Sequence, residues 1–190
     1  MRLTPNRRVV LHILPLVAAA ALAPTSGAVA QPKPAVNPTA QATLLGQYGD
    51  WGAYTATPGG QKVCFALAKP TSSVDNPPNR RTAANVVYLF ISTRPAEKVS
   101  NEVSVLVTGY VFKANTEASV AVGGANFAMY TQNDGAWVKN AAEESKLIET
   151  MRKGADVVIK ATTSRGTQTT DTFSLKGIAQ AVDRAAQECK

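Results

Sequence analysis

The chain has 190 residues, 20 basic and 13 acidic, with a net charge of +7, one histidine and two cysteines. The histidine is His12, inside an N-terminal export leader, so the remaining chain cannot build a Ser-His-Asp triad, a Cys-His pair or a histidine-ligated zinc site. Arg2, Arg7 and Arg8 leave with the same leader and lower the net charge to about +4, and no run of like charges argues for nucleic acid.

Residues 1–30 read as a secretory signal peptide. The three arginines precede an apolar run from Val9 to Leu22, and Ala28-Val29-Ala30 forms a small-x-small site with cleavage expected after Ala30. The run contains His12 and Pro15 and is shorter than a membrane span. No cysteine follows it to carry a lipid, and Asn6-Arg7-Arg8 leaves general and twin-arginine export both open. Residues 31–45 follow as a linker, because Pro32, Pro34 and Pro38 deny it helix and ladder hydrogen bonds. Residues 46–190 then form one domain of ordinary size.

Tyr48–Ala56 and Lys62–Lys69 are expected as the first two strands, joined at Pro58-Gly59-Gly60. Val63, Phe65 and Leu67 take one face of the second strand; Cys64, Ala66 and Ala68 take the other, a face small enough for close approach. Trp51 is expected as a core anchor. Pro70–Ala84 reads as a polar loop, with Arg80 and Arg81 as a candidate contact surface. Val86–Ile91 reads as a strand buried on both faces, and Val103, Val105 and Val107 as the apolar side of another.

Ser119–Val122 and Asn126–Thr131 flank Gly123-Gly124 as a hairpin. Asn133-Asp134-Gly135 turns into a further strand, where Tyr130 and Trp137 complete the candidate contact surface, core packing being the alternative for both. A helix follows, capped by Asn140, with Leu147, Ile148 and Met151 as its stripe, a Glu149–Lys153 pair, and Gly154 as its stop. Asp156–Ser164 and Thr167–Ser174 form a hairpin at Arg165-Gly166, its threonine-rich return strand suited to an exposed face and Asp171 a lone acid. The chain ends in an amphipathic helix, Leu175–Cys189, whose Leu175, Ile178, Ala179, Val182, Ala186 and Cys189 share a stripe. In an oxidising compartment Cys64 and Cys189 are expected to pair.

Tyr48-Gly49-Asp50-Trp51-Gly52, the strand around Cys64, Ser92-Thr93-Arg94-Pro95, Asn101-Glu102-Val103-Ser104, Gly135-Ala136-Trp137, Met151-Arg152-Lys153-Gly154 and Arg165-Gly166-Thr167-Gln168-Thr169 through Ser174-Leu175 form an ordered series. The series resembles the invasion-associated locus B family, exported proteins of alphaproteobacteria, from about Gly46 to Cys189. The resemblance implies an immunoglobulin-like antiparallel β-sandwich and supplies no catalytic residues.

The functional expectation is an exported, non-enzymatic binding or scaffold module of the periplasm or cell surface. It needs no cofactor or metal and spans no membrane in its mature part; its partner is an envelope protein or surface component, not nucleic acid. A surface-exposed adhesion or invasion factor is the alternative. A carboxylate-dependent hydrolase is the third reading, and it would need two of Asp50, Asp134 and Asp171 to converge.

Overall fold

The computed structural model describes residues 42–190. The leader, its cleavage site after Ala30 and most of the linker lie outside the described residues.

The first strand, β1 (Thr43–Tyr48), starts inside the stretch read as linker. Gly49, with φ 57°, and Asp50 turn it into β2 (Trp51–Ala56), so the first expected strand is divided at its start. The next strand, β3 (Val63–Ala68), pairs with β2 as expected. Its two faces separate as the alternation demands. Cys64, Ala66 and Ala68 enter the main core with Trp51, while Val63, Phe65 and Leu67 join an outer cluster with Tyr54 and Phe90.

The polar stretch after Pro70 is not all loop. Ser72–Asn76 forms β4, which pairs antiparallel with β11 (Gln168–Ser174) at an edge of the sheet. Its SSVDN sequence lacks an alternating apolar face, so periodicity does not reveal it. Backbone pairing holds it in place.

The central strands are β5 (Val87–Arg94) and β6 (Val99–Val107), packed on both faces. Strand β5 runs on through Arg94, past the Ile91 end read from the sequence. Hairpins then form β7 (Glu117–Val122), β8 (Ala125–Gln132) and β9 (Gly135–Val138) at the expected glycine and Asn-Asp-Gly turns. Asn140 accepts from the Ala142 N–H at 3.1 Å and opens a short 3₁₀ turn before α1 (Glu144–Lys153). Leu147, Ile148 and Met151 are the buried stripe of α1, and Gly154 caps its end. Glu149 and Lys153 form no ion pair; Arg152 instead reaches Asp183 at 2.7 Å.

Strands β10 (Asp156–Thr162) and β11 (Gln168–Ser174) follow, then α2 (Ile178–Glu188). Because β4 covers its free edge, β11 is an interior strand. Thr169, Asp171 and Phe173 are buried, which corrects the exposed-face reading of the threonine-rich segment. Helix α2 starts after Gly177, three residues later than expected. Its buried stripe is Ile178, Ala181, Val182 and Ala185, a small rotation from the stripe read in the sequence.

The eleven strands of the described residues are hydrogen-bonded into one antiparallel sheet, in the order β1-β2-β3-β5-β6-β9-β8-β7-β10-β11-β4. The sheet turns back on itself. The Trp51 Nε1–H on β2 donates to the Ser174 carbonyl on β11 at 2.9 Å, although these strands stand near opposite ends of the order. Its two parts therefore share one core, as in an immunoglobulin-like sandwich, with hydrogen bonding running unbroken between them. Helix α2 lies against β1, β2, β3 and β5 over the small-residue face of β3. There Cys189 bonds Cys64, with Cα atoms 5.9 Å apart, and closes a loop with a sequence separation of 125.

Candidate functional site

Four loops gather at the border of the core. They are the segment from Pro77 to Asn85 after β4, Val107 to Val111 after β6, the Asn133-Asp134 turn, and Thr163 to Thr167 between β10 and β11. Together they line an open cleft of about 1220 Å³.

Backbone hydrogen bonds fix three of these loops to one another, and the Asn85 side-chain amide ties the fourth to the Thr108 carbonyl at 3.3 Å. The Val107 N–H donates to the Asp134 carbonyl at 2.9 Å, Phe112 N–H to Asn133 at 2.7 Å, and Ser164 N–H to Val111 at 2.9 Å. Gly166, with φ 82°, makes the tight turn that returns Thr163 N–H to the Thr167 carbonyl. A cleft bound this way is formed before any ligand arrives.

Arg81 organises one wall. Its Nε donates to Asp75 Oδ1 at 2.6 Å, and its Nη1 donates to both carboxylate oxygens of Asp171 at 2.9 Å. The Arg81 side chain also lies 5.9 Å from the centre of the Tyr110 ring. The Ser73 hydroxyl donates to Asp171 Oδ1 at 2.5 Å. The backbone N–H groups of Arg80 and Arg81 both donate to Asp75 Oδ2, at 3.1 and 2.7 Å, which pins the loop that carries them.

Burial sets the charge behaviour here. Burial raises the Asp171 carboxyl against the pull of the Ser73 hydroxyl and Arg81. Burial also pushes Asp75 upward, but the Arg81 N–H and guanidinium outweigh it and hold Asp75 below the usual carboxylate range. Burial raises Tyr110 to about 12, and the Asp171 charge adds to that push. Arg81 is itself disfavoured by burial, but Asp171 and Asp75 more than compensate and keep it charged.

The expected contact residues divide between two places. Arg80 and Arg81 both line the cleft. Tyr130 and Trp137 sit elsewhere, on β8 and β9, with ring centres 5.6 Å apart and planes at 23°. Trp137 is only 8 % exposed, whereas Tyr130 is 39 % exposed. Of the three dispersed acids, Asp134 lines the cleft and Asp171 is locked in its wall. Asp50 stays at the β1–β2 turn, where its N–H donates to the Lys176 carbonyl at 3.0 Å. Asp171 is thus not a lone acid. Sequence reasoning missed Tyr110 and Arg165 as cleft residues and Asp75 as an acid that holds Arg81. Asp75 carried the only hint, as an acid a few residues ahead of the Arg80-Arg81 pair in a proline-broken stretch.

Among the described residues no group of three or more His, Cys, Asp or Glu side chains is placed to hold a metal ion. No helix there is long and apolar enough to cross a membrane.

A sequence model of the Invasion associated locus B (IalB) protein family matches residues 51–186. The chain belongs to this family. The IalB match takes in Cys64 and every strand from β2 to β11, and ends three residues before Cys189. It covers all four cleft loops and therefore the whole Arg81 network. No curated relative and no solved structure matches the chain. IalB membership together with the Cys64–Cys189 bridge is consistent with export.

Proposed function

We propose that this chain is an exported, non-enzymatic binding or scaffold module of the cell envelope. The Arg81 network carries the reading. A general base or nucleophile needs a carboxylate free to meet a substrate. Asp171 gives both oxygens to Arg81 and one of them also to Ser73, and its side chain is only 3 % exposed, so it is held inside the fold. What remains at the surface is a fixed polar cleft, suited to recognition.

Two measurements test the reading. The purified protein is assayed against a broad hydrolase panel. Turnover that disappears in Asp134→Asn, the cleft acid outside the network, would overturn it. In-cell crosslinking from a photoreactive residue at Asn79, on the cleft rim, should yield a discrete adduct; its absence would count against a binding role.

The family name favours a second reading, a surface-exposed adhesion or invasion factor. Protease treatment of intact cells separates the two. Protection followed by release on osmotic shock supports an internal envelope component. Digestion on intact cells, with loss of host-cell attachment on deletion, supports the second reading.

A further inference from the structure

We infer that the cleft binds an acidic oligosaccharide, gripped through Arg80 and Arg165; this rests on the binding-module reading and names its ligand class. The arginines of the described residues divide into paired and unpaired. Among the described residues, Arg81, Arg94, Arg152 and Arg184 are each ion-paired with at least one carboxylate. The other two, Arg80 and Arg165, have no carboxylate partner there, and both line the same cleft. They come from loops far apart in sequence, and both residues are exposed. Arg80 is held in position because its own N–H, and that of Arg81, are tied to Asp75.

Two exposed guanidiniums over one cleft select an anion, since the planar fork matches carboxylate or sulfate oxygens. The nearby acids lie mostly behind the surface. Asp75 and Asp171 are almost fully buried and share Arg81, which offsets one of their two charges, and Asp134 is the one acid of the lining. Size argues for an oligomer: about 1220 Å³ is larger than the roughly 300–1,000 Å³ typical of pockets for a single small molecule.

The rest of the lining favours a sugar chain over other polyanions. Asn79 and Asn133 offer side chains that both donate and accept, which suits hydroxyl-rich ligands, while Asn85 and Thr108 bond within the fold and shape the wall beside them. A single-stranded nucleic acid would want open aromatic faces for its bases. Tyr110 is the one aromatic residue of the lining, and Arg81 already lies over its ring.

The test is calorimetric titration of the purified protein with an oligogalacturonide, a neutral maltooligosaccharide of equal length, oligo-dT and a phosphoserine peptide. The oligogalacturonide is expected to bind at least roughly tenfold more tightly than the neutral chain, with affinity falling as salt rises. Arg80→Gln and Arg165→Gln should each weaken it by roughly tenfold, the loss of one charge-assisted contact. Both side chains are exposed and unpaired, so both variants should melt with the parent protein, which separates lost binding from lost folding. Equal affinity for the neutral sugar, unchanged binding in the double variant, or preference for oligo-dT or the phosphopeptide would each overturn the inference. If no probe binds, the saccharide class falls. The broader reading then stands or falls separately, on the crosslinked adduct from position 79.

Discussion

Arg81 and Asp171 stand 90 residues apart in the sequence and 2.9 Å apart in the fold, joined through both oxygens of the carboxylate. Their side chains are almost fully buried, and Asp75 completes the group from the other side of the guanidinium. Removing the cation alone leaves two acids facing each other without a counter-charge. Arg81→Ala should therefore cost about 3–5 kcal/mol, read from urea unfolding. The triple variant Arg81→Met, Asp171→Leu and Asp75→Asn should recover a large part of that loss, since uncharged side chains leave no orphaned charge. A single variant within about 1 kcal/mol of the parent, as for a surface pair, would show that the network is not integral to the fold.

This pair marks the limit of what could be read before the fold was known. The hairpins at Gly123-Gly124 and Asn133-Asp134, and the two faces of β3, were legible because alternation and turn chemistry are local. So was the meeting of Cys64 with Cys189, which needed only an oxidising compartment and a small-residue face. The Arg81 network depends on β4 pairing with β11, a long-range contact between two polar strands with no apolar signature. Once Ser73 stands opposite Asp171, the loop after β4 is bound to place Arg81 nearby. On α2 the ambiguity came from alanine. Ala179 and Ala186 fit one stripe and Ala181 and Ala185 another, and only the position of the Gly177 turn selects between them.

Tyr110 gives the network a signature at alkaline pH. Its folded value is raised to about 12, chiefly by burial, above the roughly 10 of an unfolded tyrosine. A group raised on folding contributes stability that is complete below its unfolded value and is lost as pH climbs through its folded one. Stability should thus decline between about pH 10 and 12. Ultraviolet titration should show a late phenolate phase, absent in Tyr110→Phe. That variant should also lose less stability over the same interval, and identical alkaline profiles would refute the assignment.

The Cys64–Cys189 bond ties α2 to β3 across nearly the whole described domain, with a separation of 125 residues. Closing so long a loop should contribute about 4–5 kcal/mol through the unfolded chain. Reduction, or the pair Cys64→Ala and Cys189→Ala, should lower the guanidinium midpoint accordingly. Amide exchange should rise first in α2, whose last turn the bond holds to the sheet. Uniform exchange across the domain would instead mean that α2 packing does not depend on the bond.

Gly177 offers the sharpest single-residue test of how the chain closes. It sits at φ 93° between β11 and α2, and a Cβ built there would stand 1.7 Å from the Tyr48 carbonyl oxygen. The same junction holds the β1–β2 turn through the Asp50 N–H to Lys176 bond and through Trp51 to Ser174. Alanine at 177 must therefore either enter the left-handed region with a side chain or push the β1–β2 turn away. Left-handed strain alone costs about 1 kcal/mol; adding a backbone overlap should bring Gly177→Ala to about 3 kcal/mol or more. Gly59 separates the two contributions, because its φ is 59° and a Cβ placed on it would meet nothing within 4 Å. Gly59→Ala should lose only the strain, about 1 kcal/mol. Thermal melts of the two variants measure the difference directly. Equal losses would mean that the β1–β2 turn yields freely, and that the contact between Tyr48 and Gly177 does not lock α2 to the sheet.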